Sequence, residues 1–305
     1  MANVLKDLLN RRKPAYIAAR FVRRLLPETI AQRILSRRGV ASRNVYEGTT
    51  RKYLNAIQKA GLGPIFGERA SLTILEAGTG FYNPATAPLL LSGATRLILL
   101  EPFLGNNPDY ARFRERFDDL LAFAKKDPGY PLPIKETLPR VSVGNLPKGV
   151  ELSARLWEDT HLPGASLDGI FSSSVLEHLR QPESVLRECG RIVRPGGFMI
   201  NTIDMRDHFF RYPLEMLKYS EAGWERLTTA KGGSGYQNRW RVSRWLEALS
   251  MHGFDTTIIP LTVNEELAAR EKPYLHEEFR NLPLDELSLL AATLVSRRRA
   301  GETSK

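Results

Sequence analysis

Between residues 72 and 204 short apolar runs alternate with amphipathic stretches. The runs at 72–76 (LTILE), 95–103 (TRLILLEPF), 150–159 (VELSARLWED), 167–175 (LDGIFSSSV) and 198–204 (FMINTID) have the length and composition of buried strands. Between them, 84–92, 108–125 and 182–193 carry helical spacing. Residues 126–149 are rich in Pro and Gly and read as a long loop. Pro195-Gly196-Gly197 turn the chain into the fifth run. Near-continuous apolar strands separated by helices predict an α/β fold, a mostly parallel sheet covered on both faces. Ligands of such sheets bind at the carboxyl ends of the strands.

The flanks follow other patterns. Residues 45–62 read as one helix ahead of the first strand. Residues 205–238 break the alternation with Phe209, Phe210, Tyr212, Tyr219, Trp224 and Tyr236, and end in the hinge-like KGGSGYQN (231–238). A helix over 241–254 with a glycine C-cap follows, then two closing strands at 255–263 and 289–298. The organisation expected is a basic helical extension (1–62), one main domain (63–298) with an insert or lid at 205–238, and a disordered tail (299–305).

Charge separates the arm from the body. The net charge is +10, yet residues 1–45 hold eleven Lys/Arg against only Asp7 and Glu28. The remaining residues are therefore close to neutral, which speaks against a nucleic-acid-binding body. Within 1–38, apolar residues fall at helical spacing in pieces broken near Pro14 and Pro27. Two readings stay open: a helical cap with its arginines in solvent, or a helix lying on an anionic membrane. No apolar run is long enough to span a bilayer, and residues 1–10 lack a signal-peptide core. The single cysteine, Cys189, excludes an internal disulfide and a multi-cysteine zinc site; it reads as a buried thiol in a cytoplasmic chain.

The first strand leads into LEAGTGFYNPAT. Gly78 and Gly80 permit a sharp turn and a close approach of backbone to ligand. A dinucleotide loop would place a third glycine three residues after Gly80, where Asn83 stands. Asn83 and Pro84 read as the N-cap and first residue of the next helix. Glu76 suits the cationic group of a ligand. Glu101, at the tip of the second run, suits the two hydroxyls of a ribose. Glu158 and Asp159 close the third run, and Ser172 to Ser174 with Glu177-His178 close the fourth.

In that order, LEAGTGFYNP, LLEP, WEDTHLPGASLDGIFSSSVLEHL and LRECGRIVRPGGFMINTID resemble the motif series of class I S-adenosylmethionine (SAM)-dependent methyltransferases. The similarity is to the type 11-like methyltransferase-domain group, with its D-x-x-x-LP and S-F-D-x-V block. It covers 72–204 clearly and 239–298 loosely. It implies a Rossmann-like seven-stranded sheet whose last strand is antiparallel. It implies Glu76, Gly78 and Gly80 around the methionine part of SAM, Glu101 on the ribose, Glu158 or Asp159 near the adenine, and Ser173 near the sulfonium. The chain departs from the group at Tyr82, where a third glycine often stands, and at Glu158, where aspartate is usual. A ligand without phosphates does not need the missing glycine.

Methyl transfer to a hydroxyl needs a base. The segment NTIDMRDHFF offers His208, with Asp207 or Asp204 to orient it; His178 is the second candidate. No spacing matches a metal signature, so no metal is assigned. Aromatics of 205–238 suit either a flat acceptor or the packing of the insert, and Asn238 and Arg239 suit a polar or anionic acceptor. The stretch from Ile203 to Phe254 is similar to methyltransferases of bacterial surface-polysaccharide biosynthesis. The function expected is O-methylation of a glycan or small molecule, in the cytoplasm or at the inner membrane face. The alternatives are a lipophilic acceptor such as a quinone or phenol, and a non-catalytic SAM-binding partner. An NAD oxidoreductase is disfavoured by the missing glycine, and a base-flipping enzyme by the absence of an NPPY-type motif.

Overall fold

The computed structural model describes residues 43–68, 71–79, 84–102, 110–132, 146–210, 212–229 and 236–301. The arm at 1–38, Gly80 to Asn83, most of the 231–238 hinge and the end of the tail lie outside the described residues. The described residues divide into two compact units, the larger within 43–204, 240–262 and 291–301, the smaller within 205–239 and 263–290.

The larger unit is built on seven strands: β1 (Leu72–Ala77), β2 (Ala94–Leu100), β3 (Val150–Ser153), β4 (Leu167–Ser173), β5 (Val193–Asp204), β6 (Phe254–Val263) and β7 (Leu289–Arg298). Their order is β3-β2-β1-β4-β5-β7-β6. The pairs β1·β2, β1·β4, β2·β3 and β4·β5 are parallel, and β7 runs antiparallel to β5. This is the Rossmann-like, seven-stranded, mostly parallel sheet that the pattern and the resemblance predict.

The helices of this unit are α1 (Arg43–Lys59), α2 (Gly63–Glu68), α3 (Tyr110–Lys126), α4 (Pro182–Ile192) and α6 (Val242–Met251). One core joins Tyr53, Ile57, Phe66, Phe117, Leu97, Leu99, Phe171 and Phe198, all buried. The Tyr53 and Phe171 rings lie 5.0 Å apart, and Phe171 meets Phe198 edge-on at 5.7 Å. The apolar residues of α4 (Val185, Leu186, Cys189, Ile192) recur at helical spacing and are buried. Burial pushes the Cys189 thiol up, as an inert core sulfur requires.

Three elements differ from the sequence expectation. The third run forms a strand only over Val150–Ser153, because its partner β2 ends at Leu100, opposite Ser153. Pro102, which has no N–H, follows that end. The segment after β1 starts no helix at Pro84; a 3-10 turn runs over Ala87–Ser92 with Thr86 as its cap. Pro195-Gly196-Gly197 do not precede β5 but bulge within it. Leu167 pairs with Val193 and Gly169 with Phe198, and the excess is looped out at Gly196, where φ is +72°.

The smaller unit contains 3-10 turns at Glu215–Lys218 and Lys272–Tyr274, with α5 (Glu221–Thr229), α7 (Glu265–Glu271), α8 (Glu277–Arg280) and α9 (Leu284–Ser288). Phe210, Leu217, Trp224, Leu275, Phe279 and Leu287 form its core. The aromatics that the sequence left between a ligand and packing go largely to packing. Phe210 stacks on Tyr219 at 5.7 Å and meets Phe209 edge-on at 4.8 Å, and Trp224 is fully buried. Among the described residues no helix is long and apolar enough to cross a membrane.

Candidate functional site

Four strand ends of the larger unit stand side by side at one edge. The Gly78 N–H donates to the Leu100 carbonyl at 2.8 Å, and the Glu101 N–H to the Ser153 carbonyl at 2.8 Å. Ala77 is in register with Leu100 on one side and Ser172 on the other. Beyond β1 the sheet runs to β2 and β3 in one direction and to β4 and β5 in the other. The crevice at β1/β4 is therefore the topological switch point, where such sheets bind ligands. Gly78, Glu101 and Ser173 stand at the ends of β1, β2 and β4 on this edge.

Gly78 has φ of +71°, and a Cβ built on it would lie 2.4 Å from Cγ2 of Val175. The position therefore admits neither a left-handed side chain nor the volume of one. Val175 follows Ser174, a non-glycine residue at φ +54° whose N–H donates to the Thr202 carbonyl at 2.9 Å. Strain of this kind collects at binding sites. Glu101 is buried at the tip of β2. The strand-end set of Ser153, Glu101, Gly78 and Ser173 contains a carboxylate and no cation. That chemistry suits a ligand with hydroxyls and positive charge, not one with phosphates.

Glu76 is buried on the core face of β1, and its carboxylate reaches residues 85 and 86. Oε1 accepts from the Ala85 N–H at 3.2 Å; Oε2 accepts from the Thr86 N–H at 2.9 Å and the Thr86 hydroxyl at 2.6 Å. Burial raises the Glu76 carboxyl to about 7, against the lowering effect of those same bonds. The Thr50 hydroxyl of α1 donates to the Ala85 carbonyl at 2.8 Å.

The other predicted residues fall as follows. Glu158 and Asp159 lie past the end of β3 and are exposed; Asp159 pairs with His161 at 3.1 Å. His178 is exposed after β4. Its neighbour Glu177 is buried and accepts from the Asp204 N–H at 3.3 Å, joining the ends of β4 and β5. His252 pairs with Glu183 at 3.2 Å, and His276 caps α8.

In the smaller unit the Oδ1 of Asp207 accepts from the Phe210 N–H, which closes a turn around His208. The His208 N–H donates to Oε1 of Gln237 at 2.7 Å, and Nε2 of Gln237 donates to the Arg206 carbonyl at 2.8 Å. Trp224 donates through Nε1 to the Gln237 carbonyl at 2.7 Å. His208 is thus held by its backbone, with its side chain half-buried. Arg239, expected to meet an acceptor, is instead an internal tie. Its guanidinium is 1% exposed, donates to the Tyr219 carbonyl at 2.6 Å and to Glu221, and lies 4.9 Å from the Phe279 ring. Sequence reasoning did not single out Thr50, Thr86 or Gln237, because each acts on a partner ten or more positions away.

Residues 137–201 match the family model described as "Methyltransferase domain". No curated protein matches the chain. Among solved structures, an S-adenosylmethionine dependent methyltransferase from Mesorhizobium loti is similar at 17% identity, covering 77% of this chain and 96% of its own, with a TM-score of 0.43. The CurJ carbon methyltransferase is similar at 13% identity, over 82% of this chain and 55% of its own, with a TM-score of 0.43. The [4+2]-cyclase SpnF is similar at 15% identity, over 79% and 80% of the two chains, with a TM-score of 0.38. The strand order, rather than these likenesses, defines the fold.

Proposed function

We propose that this chain is a SAM-dependent methyltransferase acting on a hydroxyl of a glycan or another small molecule. The observation that carries the reading is the switch-point edge, where a glycine with no room for a side chain stands beside a buried carboxylate. The match of 137–201 to a methyltransferase-domain model supports it.

S-adenosyl-L-methionine is the donor and S-adenosylhomocysteine the product; when bound, the donor supplies an electrophilic methyl group on a sulfonium. Gly78 and Gly80 receive its methionine part. Glu76 uses three of the roughly four acceptor sites of a carboxylate on residues 85 and 86, which leaves capacity for an ammonium. Glu101 accepts from the ribose hydroxyls, Ser173 lies toward the sulfonium, and Glu158 or Asp159 accepts from the adenine amino group. His208 takes the proton of the acceptor hydroxyl at its imidazole, with Asp207 fixing the turn that carries it and His178 as the second candidate. The basic arm at 1–38 rests on an anionic membrane surface at the cytoplasmic face, where a lipid-linked acceptor would be reached.

Calorimetry with S-adenosylhomocysteine tests the donor site: the full chain binds, and Glu101→Ala binds at least tenfold more weakly, as loss of a charged hydrogen-bond partner implies at about 1.5–3 kcal/mol. A chain that binds none of it is not this enzyme. Turnover of labelled SAM with glycan acceptors falls about a hundredfold or more in His208→Ala with affinity unchanged; near-normal turnover removes His208 as the base.

A further inference from the structure

The three bonds to Glu76 and the one from Thr50 converge on a single segment, residues 84–86, which returns the chain from the glycine loop. We propose that Thr86 and Thr50 are positioning residues for methyl-donor binding: through Glu76 and Ala85 they hold the downstream end of the loop that leaves Gly78. This rests on the donor reading above, and it assigns a role to two residues outside the glycine motif.

The geometry has two sides. From the sheet, Glu76 accepts three donors, two of them from Thr86. From α1, the Thr50 hydroxyl takes the Ala85 carbonyl, so Ala85 is tied at its N–H and at its C=O. Three donors reach the Glu76 oxygens, and such bonds are stronger to an ionised carboxylate than to a protonated one. The tie therefore tightens when Glu76 is ionised, and the Thr86 hydroxyl favours that ionisation. Tyr53 of α1 is the titratable group facing Glu76; burial and then the Glu76 charge push its phenol well above its ordinary value, so it stays neutral. The strand neighbours of Glu76 in register are Leu99 and Phe171, and residues 84–92 contain no charged side chain.

The test is the affinity of the full chain for S-adenosylhomocysteine from pH 5.5 to 8.5, by calorimetry, for the wild type, Thr86→Val, Thr86→Ser and Thr50→Val. Wild-type affinity rises with a midpoint near neutrality. Thr86→Val moves that midpoint about one pH unit alkaline, as loss of a charge-assisted bond implies, and binds about threefold more weakly midway between the two midpoints, approaching tenfold below both. Thr86→Ser restores the wild-type curve. Thr50→Val weakens binding at all pH values without moving the midpoint, and speeds hydrogen exchange at the Ala85 amide. A Thr86→Val curve lowered by a constant factor, with an unmoved midpoint, overturns the inference and leaves the donor reading intact. A wild type that fails to bind at any pH overturns the donor reading and this inference with it.

Discussion

Replacing Gly78 with alanine should carry a cost that can be worked from its surroundings. Two penalties combine. A non-glycine residue at φ +71° pays about 1–2 kcal/mol for the left-handed region. The new Cβ would also lie 2.4 Å from Cγ2 of Val175, whereas carbons in contact sit about 3.5–4.0 Å apart. Val175 is β-branched, so turning it aside costs about 0.5–1.5 kcal/mol more. The sum is about 1.5–3.5 kcal/mol, or about a 10- to 400-fold change in an equilibrium constant. It is divided between folding and binding according to whether the loop relaxes without ligand. The assay therefore pairs urea unfolding with S-adenosylhomocysteine calorimetry and adds the two losses. The double variant Gly78→Ala/Val175→Ala removes the overlap but not the dihedral strain, so its loop-related loss should be smaller once the cost of Val175→Ala alone is subtracted. A combined loss below about 0.5 kcal/mol for Gly78→Ala would refute the reasoning.

Three further outcomes are expected. The Glu76 carboxyl stands at about 7 in the folded chain against an ordinary 4.5, so its contribution is full below the lower value and lost as pH rises through the higher one. The stability difference between wild type and Glu76→Gln should thus move by about 3 kcal/mol against the wild type from pH 4.5 to 8; a flat difference excludes the assignment. Arg239→Met should destabilise the smaller unit by about 1.5–3 kcal/mol, because the buried guanidinium no longer donates to the Tyr219 carbonyl, while Glu221, 60% exposed, is left to water; an unchanged unfolding midpoint would show the tie to be dispensable. Removal of residues 1–38 should abolish flotation with anionic liposomes, and equal flotation would return the arm to the packed-cap reading.

The sheet was legible because parallel strands buried on both faces must be apolar along their length, as Ile74, Leu75, Ile98 and Leu99 are. Strand ends were less so. Residues 154–159 have strand-like composition, but β2 offers them nothing to pair with beyond Leu100. The candidate site divides in the same way. Gly78 and Glu101 could be read from their positions after strands, since a parallel sheet fixes where strand ends go. Glu76 could be picked out as unusual but not given its partners, because Thr86 reaches it only after the loop folds back. Arg239 looked like an exposed ligand contact, since nothing local reveals that Met216, Tyr219 and Glu221 surround it.

The position of β7 bears on how the chain is made. It follows β6 in sequence yet lies between β5 and β6. While a ribosome is still translating residues 264–288, β5 presents an open edge from Phe198 to Asp204, the stretch that β7 will pair, and β6 has no neighbour in the sheet at all. The nascent chain therefore exposes two unpaired strands until residues 289–298 clear the exit tunnel. A chain truncated before residue 289 leaves the β5 edge and β6 unpaired and therefore prone to aggregate.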